Sequence, residues 1–119
     1  MQITALLTGR GNNTLKDKNL LSLNGHPLLH YPANAAKNSK LITELYVSSD
    51  CKKILFEASK FGYKNIIRPD ALATATALHH DVLMHALQSM KKDGHIPDIM
   101  IVLMANSPTI KSDWIDDCI

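Results

Sequence analysis

The chain has 119 residues, 45% of them hydrophobic and 20% charged, enough for one domain with a real core and ordinary for a soluble globular protein. A formal net charge of +2 is too small to point to nucleic acid as the main partner. The longest apolar run, 99–105, is about a third of a membrane span, and the first residues lack the basic region and long apolar stretch of a signal peptide, so neither a membrane nor a secretory route is expected. Cys51 and Cys118 stand far apart without an activating pattern and read as structural free thiols of a reducing cytoplasm.

In chain order, residues 2–8 form a short apolar run that predicts a buried strand, and it ends abruptly in Gly9, Arg10, Gly11, Asn12, Asn13 and Thr14. Glycines let backbone N–H groups approach an anion, and Arg10, Lys16 and Lys18 add positive charge, with Arg able to fork onto two phosphate oxygens. This is the composition of a phosphate cradle, and equally that of a surface loop rich in turn formers. Two better-known phosphate loops are excluded. The dinucleotide fingerprint needs a third glycine where Thr14 stands, and the P-loop needs a Gly-Lys pair that the chain lacks.

Pro27 predicts the first residue of a helix over 27–39. A second strand follows over 42–48. Asp50 is placed to cap a helix over 51–61, with Ile54, Leu55, Ala58 and Phe61 as its buried stripe and Gly62 at its end. A weaker strand, 65–67, precedes Arg68. Residues 78–92 repeat the helical pattern through Val82, Leu83, Ala86, Leu87 and Met90, closing near Gly94. The run 98–104 is apolar on both faces, as a central parallel strand requires. Ser112 is a candidate cap for a last helix carrying Asp113 in its first turn and Trp114 or Ile115 in the core.

Alternating strands and helices predict a three-layer α/β/α sandwich over 1–119, with a mainly parallel sheet and right-handed crossovers. Ligands of such folds sit at the carboxyl ends of the strands. That selects four loops, 9–18, 48–50, 68–77 and 105–111.

Those loops also carry a family resemblance. Arg10-Gly11-Asn12-Asn13, then Lys18-Asn19, then Gly25-His26-Pro27-Leu28 resembles the R-G-G-S, Lys-Asn and G-K-P-L sequence of sugar-activating cytidylyltransferases. The nearest are the acylneuraminate (CMP-sialic acid) synthetases and their nonulosonate-activating relatives. Val47-Ser48-Ser49-Asp50 is similar to their V-S-T-D strand end, Ile67-Arg68-Pro69 with Leu72-Ala73-Thr74 to R-P-x-x-L-A, and Val102 through Pro108 to V-L-L-Q-P-T-S-P.

The resemblance implies the Rossmann-like nucleotide-diphospho-sugar transferase fold and a reaction of CTP with an acidic nine-carbon sugar, giving CMP-sugar and pyrophosphate. It implies catalytic roles for Arg10 and Lys18, and nucleotide binding by Gly9, Arg10, Gly11, Asn12, Asn13, Lys18, Asn19 and Arg68. Met104, Asn106 and Ser107 take the places that line the sugar pocket. Mg²⁺ is implied as the companion of CTP, its ligands lying beyond position 119, as are the rest of the sheet and a homodimer arm. On this reading the chain corresponds to an amino-terminal half. Three departures stand out: the loop lacks its second glycine, Ala75 replaces an Asp, and Met104 and Asn106 replace Gln and Thr. The alternatives are activation of 3-deoxy-octulosonate or another sugar, and a nucleotide-binding or scaffold domain without chemistry.

Two competing roles arise from the residues themselves. Arg68 has Asp70 nearby as a salt-bridge partner, and Asp50 reads as a cap before it reads as a metal ligand. His79, His80, Asp81 and His85 share one helical segment, but His80 and His85 miss the i, i+4 spacing of a zinc-protease face.

Overall fold

The computed structural model describes residues 1–9, 21–73, 78–105 and 110–119. It contains β1 (Ile3–Thr8), β2 (Ser22–Leu23), β3 (His26–Pro27), α1 (His30–Lys37), β4 (Glu44–Ser49) and α2 (Lys52–Ser59). These are followed by β5 (Lys64–Ile67), a 3-10 turn (Asp70–Leu72), α3 (His79–Lys92), β6 (Ile99–Met104) and α4 (Ser112–Cys118). Four strands form one parallel sheet in the order β5-β4-β1-β6, and β2 and β3 pair as a separate antiparallel hairpin. The expected parallel α/β architecture is present.

Strand alternation divides the core in two. On one face Ala5, Leu7, Val47 and Leu103 pack with Leu29, Ala33 and Ala36 around α1, with Ile54, Leu55 and Ala58 of α2, and with Ile115 of α4. On the other face Leu6, Tyr46 and Ile66 pack under Ala86 and Met90 of α3. Chain order explains the division. The connections β1-α1-β4-α2-β5 move the sheet outward one way, and α3 then carries the chain back across to β6 on the far side of β1. The strand order reverses between β1 and β6, the place where open α/β sheets form a crevice.

Several local expectations are corrected. The first helix begins at His30 rather than Pro27, because Asn24 (φ 52°) and Gly25 (φ 85°) make a tight turn and Pro27 sits in β3 opposite Ser22. Two successive positive φ angles are what a two-residue hairpin needs, and Asn-Gly is the pair that supplies them most readily. Pro32 occupies the first turn of α1 instead, where a missing N–H leaves no bond unmade. The N-cap of α2 is Cys51, not Asp50. Ser112 is the first residue of α4, and its hydroxyl donates to the Ala35 carbonyl (2.7 Å), tying α4 to α1.

Of the alternatives for the last helix, Ile115 is buried and Trp114 is exposed. Among the described residues β6, the run read as suited to burial on both faces, pairs with β1, and its first four residues are half-buried. Gly62 and Gly94, both at positive φ, follow α2 and α3 as expected.

Candidate functional site

The four parallel strands end in one row of hydrogen bonds. The Ala105 N–H donates to the Thr8 carbonyl (2.9 Å), the Gly9 N–H to the Ser48 carbonyl (3.2 Å), and the Arg68 N–H to the Ser49 carbonyl (2.9 Å). The four loops that topology selected therefore leave from adjacent points on this edge. β1 and β6, which precede segments 10–20 and 106–109 in the chain, lie on the two sides of the reversal in strand order.

Along this edge the polar residues are inside. Thr8, Ser48, Ser49 and Arg68 are all buried. The Thr8 hydroxyl donates to the Leu103 carbonyl (3.3 Å). The Ser49 hydroxyl accepts the Cys51 N–H (3.0 Å), shaping the turn from β4 into α2. A buried arginine is costly unless its charge finds acceptors. Arg68 finds them on β4: Nε donates to Ser48 Oγ (3.3 Å) and Nη2 to the Ser48 carbonyl (3.0 Å). The guanidinium thus folds back over the sheet edge toward β1, where the same Ser48 carbonyl receives the Gly9 amide.

Of the residues expected at a site, the structure brings Gly9 and Arg68 together through Ser48. It places Met104 at the end of β6, paired with Thr8 and half exposed. The Gly9 amide is committed to the sheet, so Gly9 offers the loop its point of departure rather than a free donor. Arg10, Gly11, Asn12, Asn13, Lys18, Asn19, Asn106 and Ser107 lie outside the described residues. Ser48, present in the Val47–Asp50 motif, has no role assigned from sequence; the signal is a pair of small hydroxyl residues closing an otherwise apolar strand.

The histidines of α3 are dispersed. His79 and His80 are exposed with Asp81, and His85 is half-buried with its Nδ1 unpaired among the described residues. No three His, Cys, Asp or Glu side chains among the described residues come together to hold a metal ion. Two other histidines meet away from this edge. His26 of β3 stacks on His30 of α1, with ring centroids 4.0 Å apart and planes 9° from parallel, and Phe61 meets the His30 ring edge-on. Burial first, and the neighbouring His26 second, hold the His30 imidazole below its ordinary pKa of 6.5. The Tyr31 hydroxyl donates to the Leu23 carbonyl and completes the docking of the hairpin on α1.

Among the described residues no helix is long and apolar enough to cross a membrane. A family model described as cytidylyltransferase matches residues 10–119. A pseudaminic acid cytidylyltransferase of Campylobacter jejuni is 29% identical over 104 residues, which are 87% of this chain and 45% of that protein. An N-acylneuraminate cytidylyltransferase of Escherichia coli is 33% identical over 87 residues, 72% of this chain and 21% of that protein. A solved CMP:2-keto-3-deoxy-manno-octonic acid synthetase, complexed with CTP, superposes with a TM-score of 0.79 at 21% identity, covering 98% of this chain and 45% of that one. This last likeness shows a common fold. The chain spans less than half the length of these relatives.

Proposed function

The chain belongs to the cytidylyltransferase family, and on that premise we propose that it forms the CTP-binding part of an enzyme that couples CTP to an acidic sugar. A sugar hydroxyl attacks the α-phosphorus, the bond to pyrophosphate breaks, and the hydroxyl proton leaves with the solvent. Such transfers depend on positioning and on neutralising phosphate charge more than on covalent catalysis. The observation that carries the reading is the Gly9–Ser48–Arg68 cluster at the carboxyl edge, from which the cationic segment 10–20 departs.

In this reading Arg10 and Lys18 meet the triphosphate, Gly11 and Asn12 donate backbone N–H groups to it, and Asn13 and Asn19 shape the loop. Arg68 supports it from the sheet. Met104, Asn106 and Ser107 lie toward the sugar. The sugar is of the class named by the relatives, which act on pseudaminic, N-acylneuraminic and octulosonic acids. The 3-deoxy-octulosonate reading is as well supported as the nine-carbon one. Mg²⁺ would accompany the triphosphate and neutralise part of its charge. The described residues offer it no cluster of ligands, so no step is assigned through it. A cytoplasmic homodimer without nucleic-acid or membrane partners completes the proposal.

Calorimetry with CTP, ATP and GTP in the presence of Mg²⁺ tests it. Preference for CTP, lost in Arg10→Ala, supports the phosphate-loop assignment, and equal or absent binding of the three nucleotides sinks it. Pyrophosphate release with a panel of octulosonic and nonulosonic acids then identifies the sugar. CTP binding without release from any of them identifies a binding domain.

A further inference from the structure

We infer that Ser48 is a positioning residue, fixing the Arg68 guanidinium through its hydroxyl and its carbonyl, the same carbonyl that holds the Gly9 amide. The inference rests on the nucleotide reading above. Ser48 lies on the α3 face of β4, two residues after Tyr46, at a wholly buried position flanked by Thr8 and Ile66. Packing alone favours a branched apolar residue there, as at Leu6 and Leu7 of β1 and Val47 of β4. A valine or isoleucine would take space beside the guanidinium and leave Nε without its acceptor.

Serine instead gives Arg68 two acceptors, the hydroxyl at 3.3 Å and its own carbonyl at 3.0 Å. A carbonyl oxygen has two lone pairs, and the second receives the Gly9 N–H at 3.2 Å. A displacement of β4 at Ser48 therefore moves the charge and the loop's point of departure together. Held in this way, the guanidinium is a preorganised charge at a sheet edge, where an arriving phosphate does not have to reorient it.

The test is a double-mutant cycle on the full 119-residue chain, with CTP affinity measured by calorimetry and unfolding followed in parallel. Ser48→Ala is expected to weaken CTP about fivefold. In an Arg68→Ala background the same change has less than a twofold effect, because the group it positions is gone. Ser48→Thr, which keeps the hydroxyl, restores affinity to within twofold of the parent. Additive losses overturn the inference, as does a lowered Tm with unchanged affinity, which would mark Ser48 as structural only. Should Ser48→Ala fail to fold, Arg68→Lys decides: it keeps the charge but cannot reach both acceptors, and affinity within twofold of the parent overturns the inference. Absence of CTP binding in the unaltered chain overturns the nucleotide reading itself, and is seen before any variant is compared.

Discussion

On the side of α1, α2 and α4, the central strands contribute Ala5, Leu7 and Val47 to a cluster of fourteen buried apolar residues. On the side of α3 the same two strands contribute Thr4, Leu6, Thr8, Tyr46 and Ser48, and the buried apolar cluster has five members. Among the described residues four of the five buried polar ones, Thr4, Thr8, Ser48 and Arg68, belong to this second side, and Ser49 to the first. One face is therefore a scaffold held by apolar packing, and the other carries a polar array that ends at the candidate site. The division implies that stability and ligand affinity respond to different substitutions.

Leu7→Ala, on the scaffold face, should cost about 3 kcal/mol by removing a wholly buried side chain next to helices that cannot fully collapse into the space. Urea unfolding measures this, and the CTP affinity of the folded protein should stay within twofold. A larger change in affinity breaks the division. Arg68→Ala should behave in the opposite way, weakening CTP by about tenfold, which is about 1.4 kcal/mol, while unfolding shifts less than for Leu7→Ala. A melting loss without a change in affinity would make Arg68 part of the scaffold.

Tyr63→Phe gives a smaller scaffold effect. The phenol is buried, its pKa is pushed well above the ordinary 10, and its hydroxyl donates to the Ala33 carbonyl at 2.9 Å. Losing that bond should cost about 1 kcal/mol in denaturant titration and leave CTP binding alone. The smallest effect is on pH dependence. His30 is held below 6.5 in the fold, so the unfolded chain takes up the proton first. Its contribution is complete above pH 6.5 and declines as pH falls from there toward the folded value. Stability should therefore drop between about pH 7 and 5, and His30→Gln should flatten that slope. An unchanged slope would exclude the His26–His30 stack as its source.

How far the sequence foretold this division varies along the chain. Short apolar runs located the four described strands of the parallel sheet, the 3.6-residue period located α2 and α3, and Pro27 and Ser112 pointed to α1 and α4. The ends were less legible. Pro27 is compatible with the start of a helix and with a two-residue edge strand, and only the Asn24-Gly25 pair, read as a hairpin turn, separates them. For β6 the six apolar residues describe a strand suited to burial on both faces, and among the described residues only its β1 side has a partner. Within the site, the loops were legible from topology and Gly9 and Arg68 from charge and glycine placement. Ser48 was not, because a buried serine has no periodic signature, and its meaning lies in a partner twenty residues away.

The strand order carries a consequence for how the protein is made. β1 leaves the ribosome before the other described strands, and it lies between β4 and β6. Its partner on one side follows some forty residues later (Thr4↔Glu44), whereas on the other side Ile3 awaits Ile99. Contacts that far apart in sequence close late, since the loop entropy is spent before they return anything. During synthesis a β5-β4-β1 unit therefore has its helices α1 and α2 in hand while the edge of β1 is still open. Among the described strands the junction of β1 and β6 is thus the last to close, after β1, β4 and β5 have their helices α1 and α2 beside them.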